Sequence, residues 1–197
     1  MNEDVKARIL AAAKKLFAEK GYSATSIRQI CEEAGANVAL VSYHFGGKEK
    51  LLDAVLRNFF PDEMRYAVME RLENPVDRLK FLIREFLIAM RTDPEVTRIL
   101  MLEIMLGAER LKTILPHTLS FWQRLREEIR AATEQGLFDI DSLDHALVQT
   151  MAVMIYPLHS SGFQPLMESW PPDLETEIAQ RTRFVLRGLG ARTEDAQ

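Results

Sequence analysis

The sequence predicts an all-α protein with a small N-terminal domain and a larger C-terminal domain. Apolar residues recur at helical spacing, at i, i+3, i+4 and i+7, along most of the 197 residues. Glycine and proline fall between these periodic runs rather than inside them. Apolar residues make up 47% of the chain and charged residues 27%, a balance typical of folded globular proteins that excludes a disordered or low-complexity chain.

The N-terminal part reads as four helices in close succession. The first is expected from Glu3 to Lys20 and is followed by Gly21, a typical C-cap. The second is expected over Ser26–Ala34, with Thr25 as its N-cap because a hydroxyl can accept a hydrogen bond from an unpaired backbone N–H.

A three-residue turn, Gly35-Ala36-Asn37, separates the second helix from the third. The third helix is expected over Val38–Phe45, with Asn37 as its cap. Gly46-Gly47 ends it, and Lys48 opens a fourth helix that Pro61 interrupts or restarts.

Longer helices follow, each opened by a cap or a proline. Asn74-Pro75 and Asp93-Pro94 place a proline at the first helical position, where its missing N–H costs nothing. The stretch Gly162–Pro172 reads as a loop. Further helices are expected from Pro75 through Met90, from Pro94 through Leu106, from Pro116 to Gln135, from Asp141 to about Ser161 and from Asp173 to about Leu189.

Several classes of function are disfavoured by composition. Cys31 is the only cysteine, so there is no disulfide framework or multi-cysteine zinc site, and its place on an apolar stripe favours a small core residue. The four histidines lack metal-ligand spacing, so no metal or cofactor is expected. The chain has no apolar run of ~18 residues and begins with acids before bases, which predicts a cytoplasmic location without a membrane span or secretory signal.

The charge is unevenly distributed along the chain. The formal net charge is −4, but residues 1–50 carry eight basic and six acidic residues, giving +2, and the remainder carries −6. A mildly basic N-terminal part on an acidic body is the polarity expected if only the N-terminal part meets phosphates.

The two short helices and their glycine-containing turn form a helix-turn-helix pattern. Such a pair holds its second helix at a fixed angle, so that the outer face can enter a DNA major groove. At 100° per residue, that face centres on Ala39, Leu40 and Tyr43, with Ser42 and His44 at its edges.

The stretch Thr25–Leu52, TSIRQICEEAGANVALVSYHFGGKEKLL, resembles the DNA-binding domain of the tetracycline-repressor (TetR) family. It departs from the family pattern at Cys31, where alanine is usual, at Asn37, where serine is usual, and at Ser42, where tyrosine is common. Matching positions are Thr25, Ile30, Ala34, Gly35, His44, Phe45, Lys48, Glu49 and Leu51.

The resemblance implies roles for residues of this region in binding double-stranded DNA. Arg28 would reach a guanine edge or a phosphate, and Tyr43, His44 and Lys48 would bind phosphates. Residues 38–40 are apolar and would read thymine methyl groups and DNA shape. The full expected set is Thr25, Ser26, Arg28, Asn37, Val38, Ala39, Leu40, Ser42, Tyr43, His44 and Lys48.

The resemblance also implies a domain of residues 51–190 that binds a small-molecule effector and forms a homodimer, with residues 191–197 as a frayed tail. Any single methionine of this region is best explained as plain helical core, but the methionines and aromatic residues as a group suit an adaptable pocket for an apolar or aromatic ligand. Gln149, Thr150, His117 and His159 could orient that ligand. The expected pocket residues are Phe86, Met90, Met101, Met105, Phe121, Trp122, Gln149, Met154 and Tyr156.

The two last long helices have apolar faces and, by the resemblance, form the dimer interface. A dimer sets two recognition helices ~34 Å apart, or a multiple of that, on a palindromic operator. The sequence therefore predicts a ligand-responsive transcriptional repressor, with the fourth helix carrying the effector's signal. The alternative is a family member without ligand response that acts as a DNA-bound scaffold or partner-binding module. No acid/base or nucleophile constellation indicates an enzyme.

Overall fold

A computed structural model describes residues 2–57, 59–60, 63–105, 107–155, 165–169 and 173–191. These residues form ten α-helices and no strand, which confirms the all-α prediction. The helices are α1 (Asn2–Lys20), α2 (Ile27–Ala34), α3 (Val38–Phe45), α4 (Lys48–Leu56), α5 (Glu63–Met69), α6 (Pro75–Thr92), α7 (Pro94–Met105), α8 (Ala108–Glu134), α9 (Leu143–Ile155) and α10 (Leu174–Gly188).

The predicted start of α8 was wrong by eight residues. The helix begins at Ala108 and contains Pro116 in its interior. Proline removes a single backbone donor, and the preceding stretch AERLK is rich in good helix formers, so the helix continues through the proline.

The C-terminal predictions are covered in part. Helix α9 ends at Ile155 in the described residues, and the expected continuation to Ser161 lies outside them. Most of the expected loop Gly162–Pro172 also lies outside, although residues 165–166 form a short 3₁₀ turn. Residues 192–197, expected as a frayed tail, are not among the described residues.

The chain divides into two compact units, and each contains two segments. The first unit comprises Met1–Phe60 and Thr92–Leu119, and the second comprises Pro61–Arg91 and Ser120–Gln197. Helix α7 therefore belongs to the same unit as the N-terminal helices. The expected division after residue 50 rests on the sequence motif and stays a prediction.

In the first unit, α1 lies at the centre and packs against α2, α4 and α7. Ile9, Ala13 and Phe17 of α1 are fully buried. The Lys14 ammonium lies 2.5 Å from the Asp93 carboxylate at the start of α7, so α1 is held to α7 by an ion pair beside this core.

In the second unit, aromatic stacking and ion pairs join the helices. The ring of Phe86 in α6 stacks on that of Phe121 in α8, with centroids 5.4 Å apart. The Arg181 guanidinium in α10 donates to the Met154 carbonyl oxygen of α9 at 2.9 Å and pairs with Glu177. Burial lowers the pKa of Arg181, while Glu177 opposes that shift.

Within the described ranges, no helix is both long and apolar enough to cross a bilayer. The same residues contain no cluster of three or more histidine, cysteine or acidic side chains suited to a metal ion.

Candidate nucleic-acid interface

Helix α2 begins with a capping box that fixes its first turn. The Ser26 hydroxyl accepts a hydrogen bond from the Gln29 backbone N–H at 3.2 Å, and the Gln29 side-chain oxygen accepts one from the Ser26 N–H at 2.8 Å. The prediction of Thr25 as the N-cap was therefore wrong by one residue, because its neighbour also carries a hydroxyl and supplies the cap.

Thr25 instead anchors the loop to α1. Its side chain is 1% exposed. The hydroxyl lies 3.1 Å from the Leu16 carbonyl oxygen and 2.9 Å from that of Gly21, so its single proton is donated to one of these oxygens or shared between them. This side chain is directed into the protein, and only Ser26 presents an exposed hydroxyl at the start of α2.

The turn between α2 and α3 has the predicted caps. Gly35 adopts φ +58°, a left-handed conformation that favours glycine, and the Ala36 N–H donates to the Cys31 carbonyl oxygen at 2.9 Å. The Asn37 side-chain oxygen accepts from the Ala39 N–H at 2.9 Å. These bonds set the angle at which α3 leaves α2.

Apolar side chains pack between α2 and α3. Ile30, Ala34 and Val41 are buried, while Ile27 and Phe45 are half-buried. Cys31 is 3% exposed and its burial raises the pKa of the thiol, so it remains protonated and serves as the predicted core residue.

The outer face of α3 is exposed, uncharged and largely apolar. Tyr43 is 74% exposed and Val38 is 48% exposed, and Ala39 and Ser42 are exposed beside them. Exposed apolar residues on a short helix are costly in water but suit contact with thymine methyl groups. The guanidinium-bearing side chain of Arg28 is exposed on α2.

Two of the expected phosphate ligands are partly withdrawn from the surface. His44 is half-buried, and its Nε2 is buried without a hydrogen-bond partner among the described residues. The Lys48 ammonium lies 4.2 Å from the centre of the Tyr22 ring. Burial lowers the pKa of Lys48, and Glu103 opposes that shift.

A carboxylate that the sequence analysis did not select lies beneath this region. Glu103 of α7 is fully buried, and its Oε1 accepts the Tyr22 backbone N–H at 2.9 Å. The sequence signal for this residue is that Glu103 is the lone acid in the apolar run RILMLEIM. An acid at a buried position requires a polar partner, so this pattern indicates a specific contact.

Some of the expected effector-binding residues lie close together in the second unit. Phe86, Phe121 and Trp122 come together, with centroid separations of 5.0 to 5.4 Å. Met90 and Met154 are buried in the same unit.

The remaining expected pocket residues lie elsewhere or are not described. Gln149 is exposed and lines a surface cavity of about 430 Å³ between α9 and α10. Met101 is buried and Met105 is 72% exposed, and both belong to the first unit. Tyr156, together with His159, lies outside the described residues.

Of the other side chains that might orient a ligand, His117 is paired in the first unit. Its Nε2 lies 3.1 Å from the Asp53 carboxylate. Thr150 is buried on α9 and lines the same cavity as Gln149.

Sequence comparison finds relatives of the N-terminal part of this chain. Residues 9–55 match the model of a family described as bacterial regulatory proteins, tetR family. An HTH-type transcriptional repressor of Mycobacterium tuberculosis, Rv3405c, is 54% identical over 54 residues. This match covers 27% of the chain and 29% of the relative, so it concerns the DNA-binding region alone.

Structural comparison extends over nearly the whole chain. HlyIIR, a hemolysin II transcriptional regulator, is 26% identical and superposes with a TM-score of 0.73 over 98% of this chain and 100% of that one. FadR of Bacillus subtilis, a transcriptional regulator solved with stearoyl-CoA, has a TM-score of 0.70 over 93% of this chain and 98% of that one. At 14% identity, that likeness concerns the fold.

The matches are to regulatory proteins, in agreement with the expectation that the chain is not an enzyme. The helix-turn-helix geometry, the family model over α1 to α4 and the full-length likeness to HlyIIR lead to one conclusion. Residues 9–55 have the sequence pattern of the tetR family of bacterial regulatory proteins, and the chain shares the fold of the transcriptional regulator HlyIIR.

Proposed function

We propose that this protein is a DNA-binding transcriptional repressor whose α3 enters the major groove of a palindromic operator. The observation that carries the proposal is the exposed, uncharged and largely apolar outer face of α3, held at a fixed angle by the caps of Ser26, Gly35 and Asn37. Exposed apolar residues on a short helix are unfavourable in water, and this face fits a groove lined by base edges.

The side chains of this region divide into those that read bases and those that bind the backbone. Val38, Ala39 and Leu40 contact thymine methyl groups, and Arg28 reaches a guanine edge. Phosphate contacts come from Ser26, Ser42, His44 and Lys48, the Tyr43 hydroxyl and the amide nitrogen of Asn37. Thr25 is left out of this set because its hydroxyl is directed inward.

We propose that the protein binds its operator as a homodimer formed through α9 and α10. Val148 and Phe184 are 62% and 66% exposed on these helices. The same helices border the cavity of about 430 Å³ whose lining is largely apolar, including Ala152 and Val153. Exposed apolar surface of this kind favours burial against a second copy of the chain in a dimer interface.

Analytical ultracentrifugation of Phe184→Glu tests the dimer. Placing a charge on the proposed interface should give a monomer where the parent protein is a dimer. The matched control is Met64→Glu, which charges an equally exposed apolar residue on α5 and should leave the dimer intact. Equal association of both variants and the parent would place the interface elsewhere.

We propose that a small apolar or aromatic effector releases the repressor from DNA. The aromatic group of Phe86, Phe121 and Trp122 supports this, since adjacent rings suit an apolar ligand. The effector would act by binding the DNA-incompetent state more tightly than the competent one. Thermal shift across a panel of apolar and aromatic metabolites separates this protein from a DNA-bound scaffold without ligand response, which no compound would stabilise.

Selection of bound duplexes from a random DNA pool tests the DNA-binding proposal. The parent protein should enrich a two-fold symmetric sequence, and Arg28→Ala should enrich a different or more permissive one. Tyr43→Phe should retain the sequence and weaken binding to it. Recovery of the unselected pool by the parent protein would refute the proposed function.

A further inference from the structure

Helix α7 is attached to the N-terminal helices at both of its ends. At its start, Asp93 pairs with Lys14 of α1 at 2.5 Å, and Glu95 lies 3.9 Å from the same ammonium. Near its end, Glu103 accepts the Tyr22 backbone N–H in the loop between α1 and α2. Although α7 is remote in sequence, it is therefore part of the support for the DNA-binding region.

The Glu103 side chain is an acidic group in the buried interior of the first unit. It is fully buried, and only one of its oxygens, Oε1, has a hydrogen-bond partner. The second oxygen, Oε2, is buried without a partner among the described residues. A buried charge with unused acceptor capacity attracts any nearby cation, because little water is present to screen it.

The Glu103 carboxylate lies against the turn at Gly21. Gly21 adopts φ +82°, and a Cβ added there would lie 3.4 Å from the Glu103 Oε1. Glycine thus allows the backbone conformation of the turn, and the carboxylate lies directly beside it at a van der Waals distance.

Lys48 is the nearby cation. Its ammonium lies over the Tyr22 ring at 4.2 Å from the centroid, and the charge of Glu103 acts to raise its pKa against the effect of burial. Asp53 faces the same region, but its carboxylate is already paired with Lys50 at 3.4 Å and His117 at 3.1 Å. Glu49 also acts on Tyr22, but it is exposed to water. Glu103 is the carboxylate of this region that is buried with an unpartnered oxygen among the described residues.

We infer that Glu103 is a positioning residue for DNA binding. Its buried carboxylate holds the Gly21–Tyr22 turn and attracts the Lys48 ammonium. Glu103 of α7 therefore competes with a DNA phosphate for Lys48. The inference rests on the proposed function, because Lys48 is a phosphate ligand there. It assigns to α7 an influence on DNA affinity that is distinct from the effector's signal expected through the fourth helix.

Glu103→Gln tests this competition, measured by fluorescence anisotropy with the duplex enriched from the random pool. Glutamine keeps an oxygen that can accept the Tyr22 N–H but carries no charge. We expect binding about two- to fivefold tighter than that of the parent protein, with the effect of one partly exposed ion pair as the upper bound, because Glu103 acts on Lys48 through its charge and not through a direct contact. Glu134→Gln makes the same change of charge at an exposed position of α8 and should leave the affinity unchanged.

The dependence on Lys48 distinguishes competition from a general structural effect. In a Lys48→Gln background, Glu103→Gln should no longer tighten binding, because the cation that it releases is absent. Glu103→Met is the second variant: it removes the charge and also the acceptor of the Tyr22 N–H, so it should lower the melting temperature, and any tighter DNA binding by its folded fraction should again require Lys48.

Unchanged or weaker binding by Glu103→Gln would overturn the inference, and so would tightening that persists without Lys48. Failure of the parent protein to bind any duplex would instead refute the proposed function itself. The two failures are therefore distinct.

Discussion

Thr25→Val tests whether Thr25 stabilises the DNA-binding region or binds DNA itself. Valine has nearly the shape of threonine and lacks the hydroxyl, so the Leu16 and Gly21 carbonyl oxygens lose a donor that lies 3.1 and 2.9 Å away. The position is 1% exposed, so water cannot replace that donor. Loss of one partner from a buried hydrogen bond costs about 1–3 kcal/mol.

Urea unfolding followed by circular dichroism at 222 nm measures this cost. With a slope of about 2 kcal/mol per molar urea, the midpoint should fall by ~0.5–1.5 M. Measurements at one protein concentration keep any contribution from dimerisation constant. Thr25→Ser is the control, since it retains the donor and loses one methyl group, at about 1 kcal/mol.

A Thr25→Val variant that is as stable as the parent protein and binds DNA less tightly would refute a structural role for the Thr25 hydroxyl. That result would make the hydroxyl a DNA ligand, as the family resemblance alone implies, and would leave the two buried carbonyl contacts without energetic value. A stability loss with unchanged affinity of the folded fraction is the outcome that the structure predicts.

Three further variants test the caps, the core and the charge pairs. Ser26→Ala removes the α2 capping box and should cost about 1 kcal/mol in urea unfolding. Phe121→Ala, at a fully buried ring stacked on Phe86, should cost ~3–5 kcal/mol and lower the melting temperature. Arg84 donates two hydrogen bonds to Glu175 and thereby lowers the pKa of that carboxyl, so Glu175→Gln should be less stable at pH 7. That difference should disappear as the pH falls from about 4.3 through the lowered pKa, because the parent carboxyl is then protonated as well.

Local signals explain why the helix-turn-helix was predictable. The bounds of α3 match the prediction because Asn37 and Gly46 cap its two ends. Each makes its capping hydrogen bond to a residue no more than four positions away, so a local sequence pattern is enough to identify it. The N-cap of α2 was wrong because two consecutive hydroxyl residues, Thr25 and Ser26, satisfy the same local rule. Tertiary burial of one of them decided between the two.

The long-range part of the site could not be read from the sequence. Glu103 and Tyr22 are 81 residues apart, and no local pattern connects them. The position of Lys48 over the Tyr22 ring likewise depends on how α4 and the α1–α2 loop pack together. The effector-binding set was predicted from the family resemblance and from composition, and neither distinguishes Met101 and Met105 in the first unit from Phe86 and Phe121 in the second.

A titration of two labelled duplexes tests the central claim, that α2 and α3 form a sequence-specific DNA-binding surface. One duplex carries the enriched palindrome and the other carries the same bases in scrambled order, both at physiological salt. We predict that the palindrome binds at least ~10³-fold more tightly, and that Arg28→Ala reduces this ratio. Equal affinity of the parent protein for the two duplexes would contradict the account.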